Sequence, residues 1–329
     1  MKKAKFFALL ICLGLTMPYI YGGCGGGGGG GGDSSSSISY TGNTAPALVT
    51  DTNAQDLAVE AFIGGEVATA LVPFSVNRSS DTAVEKNISK PIFLPLLLKN
   101  AFELAEFNSV VATSTNAAIQ TVEETINGSC GGTVFYTLQV NDLTGEFNGT
   151  FTFSNYCDEG ITISGRVTAD GEINLNTDEI ELLFMTFSNL SAEGITIQGD
   201  VSIDATATPL VIEIDYLAKD NESGKVYWTN NYMLLLTEGI DFVEVEVSGG
   251  SRFYDYDYGY VDISTADPFI IFDGDEYPTS GVLVCVGANN TKAKMTAVDN
   301  ASFQVEADTD GDDNYETDLG VFLWADLTV

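Results

Sequence analysis

Five side chains near the carboxyl end have the types and the spacing to hold a cation. In Asp308-Thr-Asp310-Gly-Asp312-Asp313-Asn314-Tyr-Glu316-Thr-Asp318, the residues Asp308, Asp310, Asp312, Asn314 and Glu316 recur at every second position around a glycine. Alternate carboxylates in a tight loop can converge their oxygens on one point, and Ca²⁺ tolerates the irregular geometry this produces. The run is not an EF-hand, because Asp313 stands where the sixth position needs glycine and Leu319 where the twelfth needs glutamate. Affinity of the extracellular kind, on the order of 10⁻⁴ to 10⁻³ M, is expected. The competing reading is a solvated acidic turn in a chain that is acidic throughout. A second set lies in Phe253-Tyr-Asp-Tyr-Asp-Tyr-Gly-Tyr260. On a strand, Tyr254, Tyr256, Tyr258 and Tyr260 would share one face and could stack on sugar rings, or simply pack across strands.

Other chemistry is largely excluded. The chain has no histidine, so Ser-His-Asp and Cys-His catalysis and imidazole metal ligands are absent. No nucleophile elbow, phosphate loop, HExxH or CxxC occurs. With 47 Asp and Glu in 329 residues, close carboxylate pairs are expected anywhere, so a carboxylate hydrolase is only a third reading and no catalytic residue is assigned. The formal net charge of −34 repels phosphate backbones and rules out nucleic acid as a partner.

The elements that must position these groups follow from periodicity. Residues 53–62 read as a helix with Leu57, Ala58 and Ala61 on one face, capped by Asp51 or Asn53 and stopped by Gly64-Gly65. A second helix is expected after Pro95, with Leu96, Leu97, Phe102, Leu104 and Ala105 buried, and a third over 116–125. From Gly131 the pattern turns to period two: Val134, Tyr136, Leu138 and Val140 alternate with polar residues, as do Val243, Val245 and Val247. About a dozen strands without intervening helices make the fold mainly β, a large antiparallel meander or sandwich. Thr152-Phe-Ser-Asn155 and Glu159-Gly-Ile-Thr-Ile163 recur 34 residues on as Thr186-Phe-Ser-Asn189 and Glu193-Gly-Ile-Thr-Ile197. That unit is a strand, a turn and a strand, so two hairpins should lie side by side.

Of five cysteines, Cys12 and Cys24 lie near the amino terminus, which leaves Cys130, Cys157 and Cys285. In an oxidising compartment the natural count is one disulfide and one spare thiol. The pair expected is Cys130 with Cys157, because the counterpart of Cys157 in the second copy of the repeat is Ser191. Cys285, inside Val282-Leu-Val-Cys-Val286, reads as a core thiol with no basic neighbour to activate it.

At the amino terminus Lys2, Lys3 and Lys5 precede an apolar run over 6–15, too short to span a bilayer and laid out as a secretory signal. It leads to Tyr21-Gly-Gly-Cys24, which resembles a bacterial lipobox, although Tyr21 departs from the usual Leu or Val. The resemblance implies cleavage before Cys24 and a covalent lipid on its thiol. Eight glycines and a serine run follow, and residues 25–43 taken as flexible coil would reach about 25 Å. Gly25 stands where an inner-membrane retention Asp would be, so the resemblance leans to the outer membrane, at its periplasmic or cell-surface face. The whole pattern resembles uncharacterised bacterial envelope lipoproteins, and the Asp-rich run resembles the DxDGD loops of extracellular calcium-binding β proteins. The expected organisation is a signal over 1–23, an anchored tether over 24–43, a small helical segment over 44–126 packed on the β domain, and the β domain over 127–329. The expected role is non-enzymatic and of structural or interaction type, held to the membrane by its lipid. A module binding carbohydrate or another small ligand is the alternative, and the protein or glycan partner is open.

Overall fold

The computed structural model describes residues 37–69, 119–158, 160–177, 179–275 and 277–327. The signal, Cys12, Cys24, the glycine run and the helix expected after Pro95 lie outside the described residues. Among the described residues there is one α-helix, α1 (Ala54–Thr69), followed by fifteen strands. They are β1 (Gln120–Asn127), β2 (Gly131–Val140), β3 (Glu146–Asp158), β4 (Ile161–Asn174), β5 (Glu179–Ala192), β6 (Ile195–Asp204), β7 (Leu210–Asp220) and β8 (Val226–Glu238) in the first half. The second half holds β9 (Phe242–Val247), β10 (Ser251–Asp255), β11 (Gly259–Phe272), β12 (Ser280–Val286), β13 (Lys292–Asp299), β14 (Ser302–Asp308) and β15 (Thr317–Leu323).

All belong to one antiparallel sheet, and each strand pairs with its neighbour in sequence along a single meander. One position is shared. The carboxyl half of β8 pairs with β9 and its amino half with β10, and both short strands pair with β11. The break between them is bridged by Ser251, whose hydroxyl donates to Ser248 O at 2.8 Å and accepts from Met233 N at 3.0 Å.

The strands follow the expected alternation. Val134, Tyr136, Leu138 and Val140 are all buried, as are Val243, Val245 and Val247. The repeat is two hairpins, β3–β4 and β5–β6, lying side by side through β4 and β5. Each copy carries the same distortion. Asn155 and Asn189 sit at φ 48° and 50° in bulges of β3 and β5, and the facing Gly165 and Gly199 have φ of 119° and 146°. A Cβ at Gly165 would stand 2.3 Å from Asn189 O, so only glycine lets β4 approach the bulge of β5. Paired bulges raise the local twist and bend the strands, which curls a long sheet around its apolar face.

The helix α1 shows that curl, because it contacts β7, β8 and β10 as well as β12, β13 and β14. Its expected inner face is correct: Leu57, Ala58 and Ala61 are fully buried. Its expected end is not. The helix continues through Gly64-Gly65 to Thr69, and a Cβ at Gly64 would meet the Thr229 hydroxyl at 3.0 Å. Gly64 therefore serves close packing on β8 rather than termination. Asn53 occupies the cap position, but its Oδ1 accepts from Thr50 N at 2.8 Å and closes the preceding turn. The helix expected over 116–125 is also corrected: residues 120–127 form β1, paired along its whole length with β2, so the β domain begins before 127. The segment 37–43, expected as free tether, is tied down in part, with Ile38 N donating to Gln198 Oε1 at 2.8 Å and Asn43 N to Tyr256 O at 3.0 Å.

Phe62 of α1 packs on Phe269 at 5.3 Å and on Trp324 at 5.1 Å, and Trp324 packs on Phe303 at 4.6 Å and stacks on Tyr277 at 5.7 Å. This aromatic cluster joins the helix to the carboxyl-terminal strands. At the other end of the sheet Cys130 and Cys157 form the expected disulfide, across a sequence separation of 27. Cys285 is fully buried, and burial pushes its thiol up to about 12, which keeps it inert.

Candidate cation site in the 308–316 loop

The Asp-rich run leaves β14 at Asp308 and returns at β15. Asp308 is fully buried, and its carboxylate organises the turn: Oδ1 accepts from Gly311 N at 2.7 Å and Oδ2 from Asp313 N at 2.9 Å. Asp312 Oδ1 accepts from Asn314 N at 2.9 Å, and Glu316 Oε1 accepts from Thr309 N at 2.7 Å and Thr309 Oγ1 at 2.5 Å. These bonds to Thr309 hold the Glu316 carboxyl below the usual carboxylate range.

The backbone follows from the same residues. Gly311 has φ 81°, and a Cβ there would stand 2.3 Å from Asn289 O in the β12–β13 turn. That neighbouring turn supports the loop, with Asn290 Nδ2 donating to Gly311 O at 3.1 Å and Lys292 paired with Asp313. Lys292 lowers the Asp313 carboxyl, and Asp313 is thereby committed to the ion pair. Reading the loop sequence alone missed Thr309, Asn290 and Lys292, because two of them come from another hairpin; Thr309 carries the local signal of a hydroxyl seven residues before a carboxylate it can reach.

Asp308, Asp310, Asp312 and Glu316 each offer one carboxylate oxygen, and these oxygens all lie within 4.8 Å of one another. Diametrically opposed ligands of Ca²⁺ are about 5 Å apart, twice a bond of roughly 2.3 to 2.6 Å, so one ion can reach all four. Asn314, expected as a ligand, instead donates its amide nitrogen to Asp312 Oδ2 at 3.0 Å and braces that carboxylate. Each pair of unscreened carboxylates at such separation costs about 1 kcal/mol in bulk water and several times more against protein. A divalent ion would relieve that repulsion, and the hard-oxygen donor set fits Ca²⁺.

The tyrosine row is not one strand. Residues 256–258 form the turn between β10 and β11, and Tyr254 and Tyr260 face each other across the hairpin. Asp255 makes the turn: it is buried, and its Oδ1 accepts from Asp257 N and Tyr258 N, each at 2.7 Å. Tyr254 stacks on Trp228 at 4.6 Å and packs on Tyr40 at 5.4 Å, while Arg252 lies 3.8 Å over the Tyr260 ring. Tyr256 and Tyr258 lie in the turn itself, off the two paired strands. The four tyrosines thus do not form one strand face: Tyr254 packs across strands on Trp228 and against Tyr40, and Tyr260 lies under Arg252.

Among the described residues no helix is long and apolar enough to cross a membrane. No protein-family model, curated protein or solved structure matches this chain.

Proposed function

We propose that this chain is a lipid-anchored, non-enzymatic protein of the bacterial envelope, of structural or interaction type, whose β domain is stiffened by Ca²⁺ in the 308–316 loop. The observation that carries the cation is the approach of four carboxylate oxygens to within 4.8 Å, on a scaffold whose backbone amides already fix Asp308. The loop joins the last two strands of the meander at a sheet edge, where fewer neighbours hold the backbone. An ion there adds cross-links that the terminal strands lack.

The test is thermal melting of the full chain during a Ca²⁺ titration. An ion that binds only the folded state stabilises it by about 1.4 kcal/mol at tenfold excess over Kd and about 2.7 kcal/mol at a hundredfold. At the expected affinity, about 10 mM Ca²⁺ should raise Tm by several degrees, and Asp310→Asn with Asp312→Asn should abolish the rise. An unchanged Tm at that concentration, or the same rise in the double variant, would count against the site.

The anchor rests on the arrangement of Lys2, Lys3 and Lys5, the apolar run and Cys24. Mass spectrometry of the mature protein from a bacterial host should find an amino-terminal diacylglyceryl cysteine at position 24, and globomycin should block maturation. An unacylated start beyond Cys24 would remove the anchor and leave the cation reading intact.

A further inference from the structure

One half-buried acid has no part in the cation site. Glu60 lies on α1, and its Oε2 is fully buried without a hydrogen-bond donor in reach. The group it meets is another acid, Asp255, at the end of β10. Two ionised carboxylates in contact away from water would be strongly unfavourable, and one proton between them turns repulsion into a hydrogen bond. The two acids are not equivalent. Asp255 Oδ1 already accepts two turn amides, which suits it to be the acceptor of the pair. Glu60 has no such amides, and it is the donor.

We propose that Glu60 and Asp255 hold a single proton between them, and that this proton latches α1 and the strand-like strap before it onto the β10–β11 hairpin, making that docking sensitive to pH. The strap converges on the same hairpin. Tyr40 Oη donates to Asp255 O at 2.7 Å, Tyr260 N donates to Ala45 O at 3.0 Å, and Ala47 N donates to Tyr260 O at 2.8 Å. The strap then leads through 48–53 into α1, so the chain connects the hairpin's partner segment directly to the helix that carries Glu60.

The surrounding charges bear on the pair from each element packed against it. Asp56, one turn earlier on α1, adds repulsion, and it takes a 3.4 Å hydrogen bond from Tyr258 in the turn. Among the described residues Lys225, before β8, opposes it, but Lys225 is more than a third exposed and paired with Asp257 of the same turn. Tyr227 on β8 faces the acids, and burial followed by Glu60 and Asp255 pushes its hydroxyl upward. Burial first, then Asp255, then Asp56, raise the Glu60 carboxyl to about 9. Unfolded, this group ionises near 4.5. The folded state therefore holds the extra proton between those values, and the latch's contribution is complete below about 4.5 and lost as pH rises through about 9.

The experiment compares wild type with Glu60→Gln by chemical denaturation of the full chain from about pH 4.5 to about pH 9.5, a range that brackets both values. Glutamine keeps a donor toward Asp255 without a titrating proton. The ratio of folding equilibrium constants, variant over wild type, should climb by up to about tenfold per pH unit and reach about two orders of magnitude by neutral pH. A ratio that is constant across the range overturns the latch. Should Glu60→Gln not fold, Asp255→Asn supplies the second measurement: its side-chain carbonyl still accepts the two turn amides, but it carries no charge. The alkaline loosening of α1 and residues 256–260, read by amide exchange against β3–β5 of the same sample, should then be weakened, because ionised Glu60 no longer faces a like charge. Alkaline loosening as large in Asp255→Asn as in wild type also overturns it.

Discussion

Trp324→Ala should lower stability by about 4 kcal/mol, within the range for emptying a buried aromatic site. Trp324 is 1% exposed and touches Phe62 of α1, Phe303 of β14 and Tyr277, so its removal opens a cavity where helix and terminal strands share a core. Its indole Nε1 also donates to Asp299 O at 2.9 Å, and alanine leaves that carbonyl without its partner. Each kcal/mol corresponds to about 2 to 4 °C for a domain of this size, so Tm should fall by roughly 10 °C. Trp324→Phe keeps one ring in the cluster but loses the hydrogen bond and part of the indole volume, so it should cost an intermediate amount, about 2 kcal/mol. Denaturant titration measures both. A loss under about 1 kcal/mol in the alanine variant would mean that the aromatic cluster does not couple the helix to the sheet.

The cluster also marks where sequence patterns stop being informative. Period-two alternation exposes the strands because a one-sided sheet must bury every second residue, and that rule holds from Val134 to Val247 without knowledge of partners. The repeat shows two hairpins for the same reason, and the matching spacing of Asn155 and Gly165 with Asn189 and Gly199 is the local device that bends them. Trp324, by contrast, follows the last strand in a one-turn 3₁₀ helix, and no periodicity announces its burial.

The misreadings have a common physical origin: a local pattern overridden by another contact. Tyr and Asp alternate from 254 to 257 as they would on a strand, yet Asp255 is recruited to bind the amides of its own turn and reverses the chain. Gly64-Gly65 looks like a helix stop, yet the missing Cβ at Gly64 is what admits Thr229. Residues 37–43 read as the end of a polar tether, yet Ile38 N donates to Gln198 and Asn43 N to Tyr256 O in the β10–β11 turn. The Asp-rich loop was legible because its four converging carboxylates are close in sequence as well as in space. Its support from Asn290 and Lys292 was not, since those depend on the β12–β13 turn being its neighbour. The Glu60–Asp255 contact joins residues far apart in the chain, and among 47 acids no sequence signal distinguishes these two.

Breaking the Cys130–Cys157 disulfide should cost about 3.5 kcal/mol, the value the loop-entropy model gives for a separation of 27. The bond staples the β1–β2 turn to β3, where Cys130 N also donates to Cys157 O at 3.1 Å. That edge of the sheet has fewer neighbours than the interior strands, so constraint of the unfolded chain counts for more there. The second copy of the repeat supplies an internal control: Ser191 occupies the place of Cys157 in an equivalent hairpin, so Cys157→Ser introduces a residue that this backbone already accepts. The double variant Cys130→Ser, Cys157→Ser avoids a stray thiol, and Cys285 is too deeply buried to exchange with either sulfur. Compared with oxidised wild type, the double variant should melt roughly 7 to 14 °C lower, and wild type in excess dithiothreitol should match it. The loss should appear chiefly as faster amide exchange in β1 and β2, with the 308–316 loop keeping its Ca²⁺ response. A Tm within about 1 °C of wild type would show that the strand ladder, not the covalent link, fixes this edge.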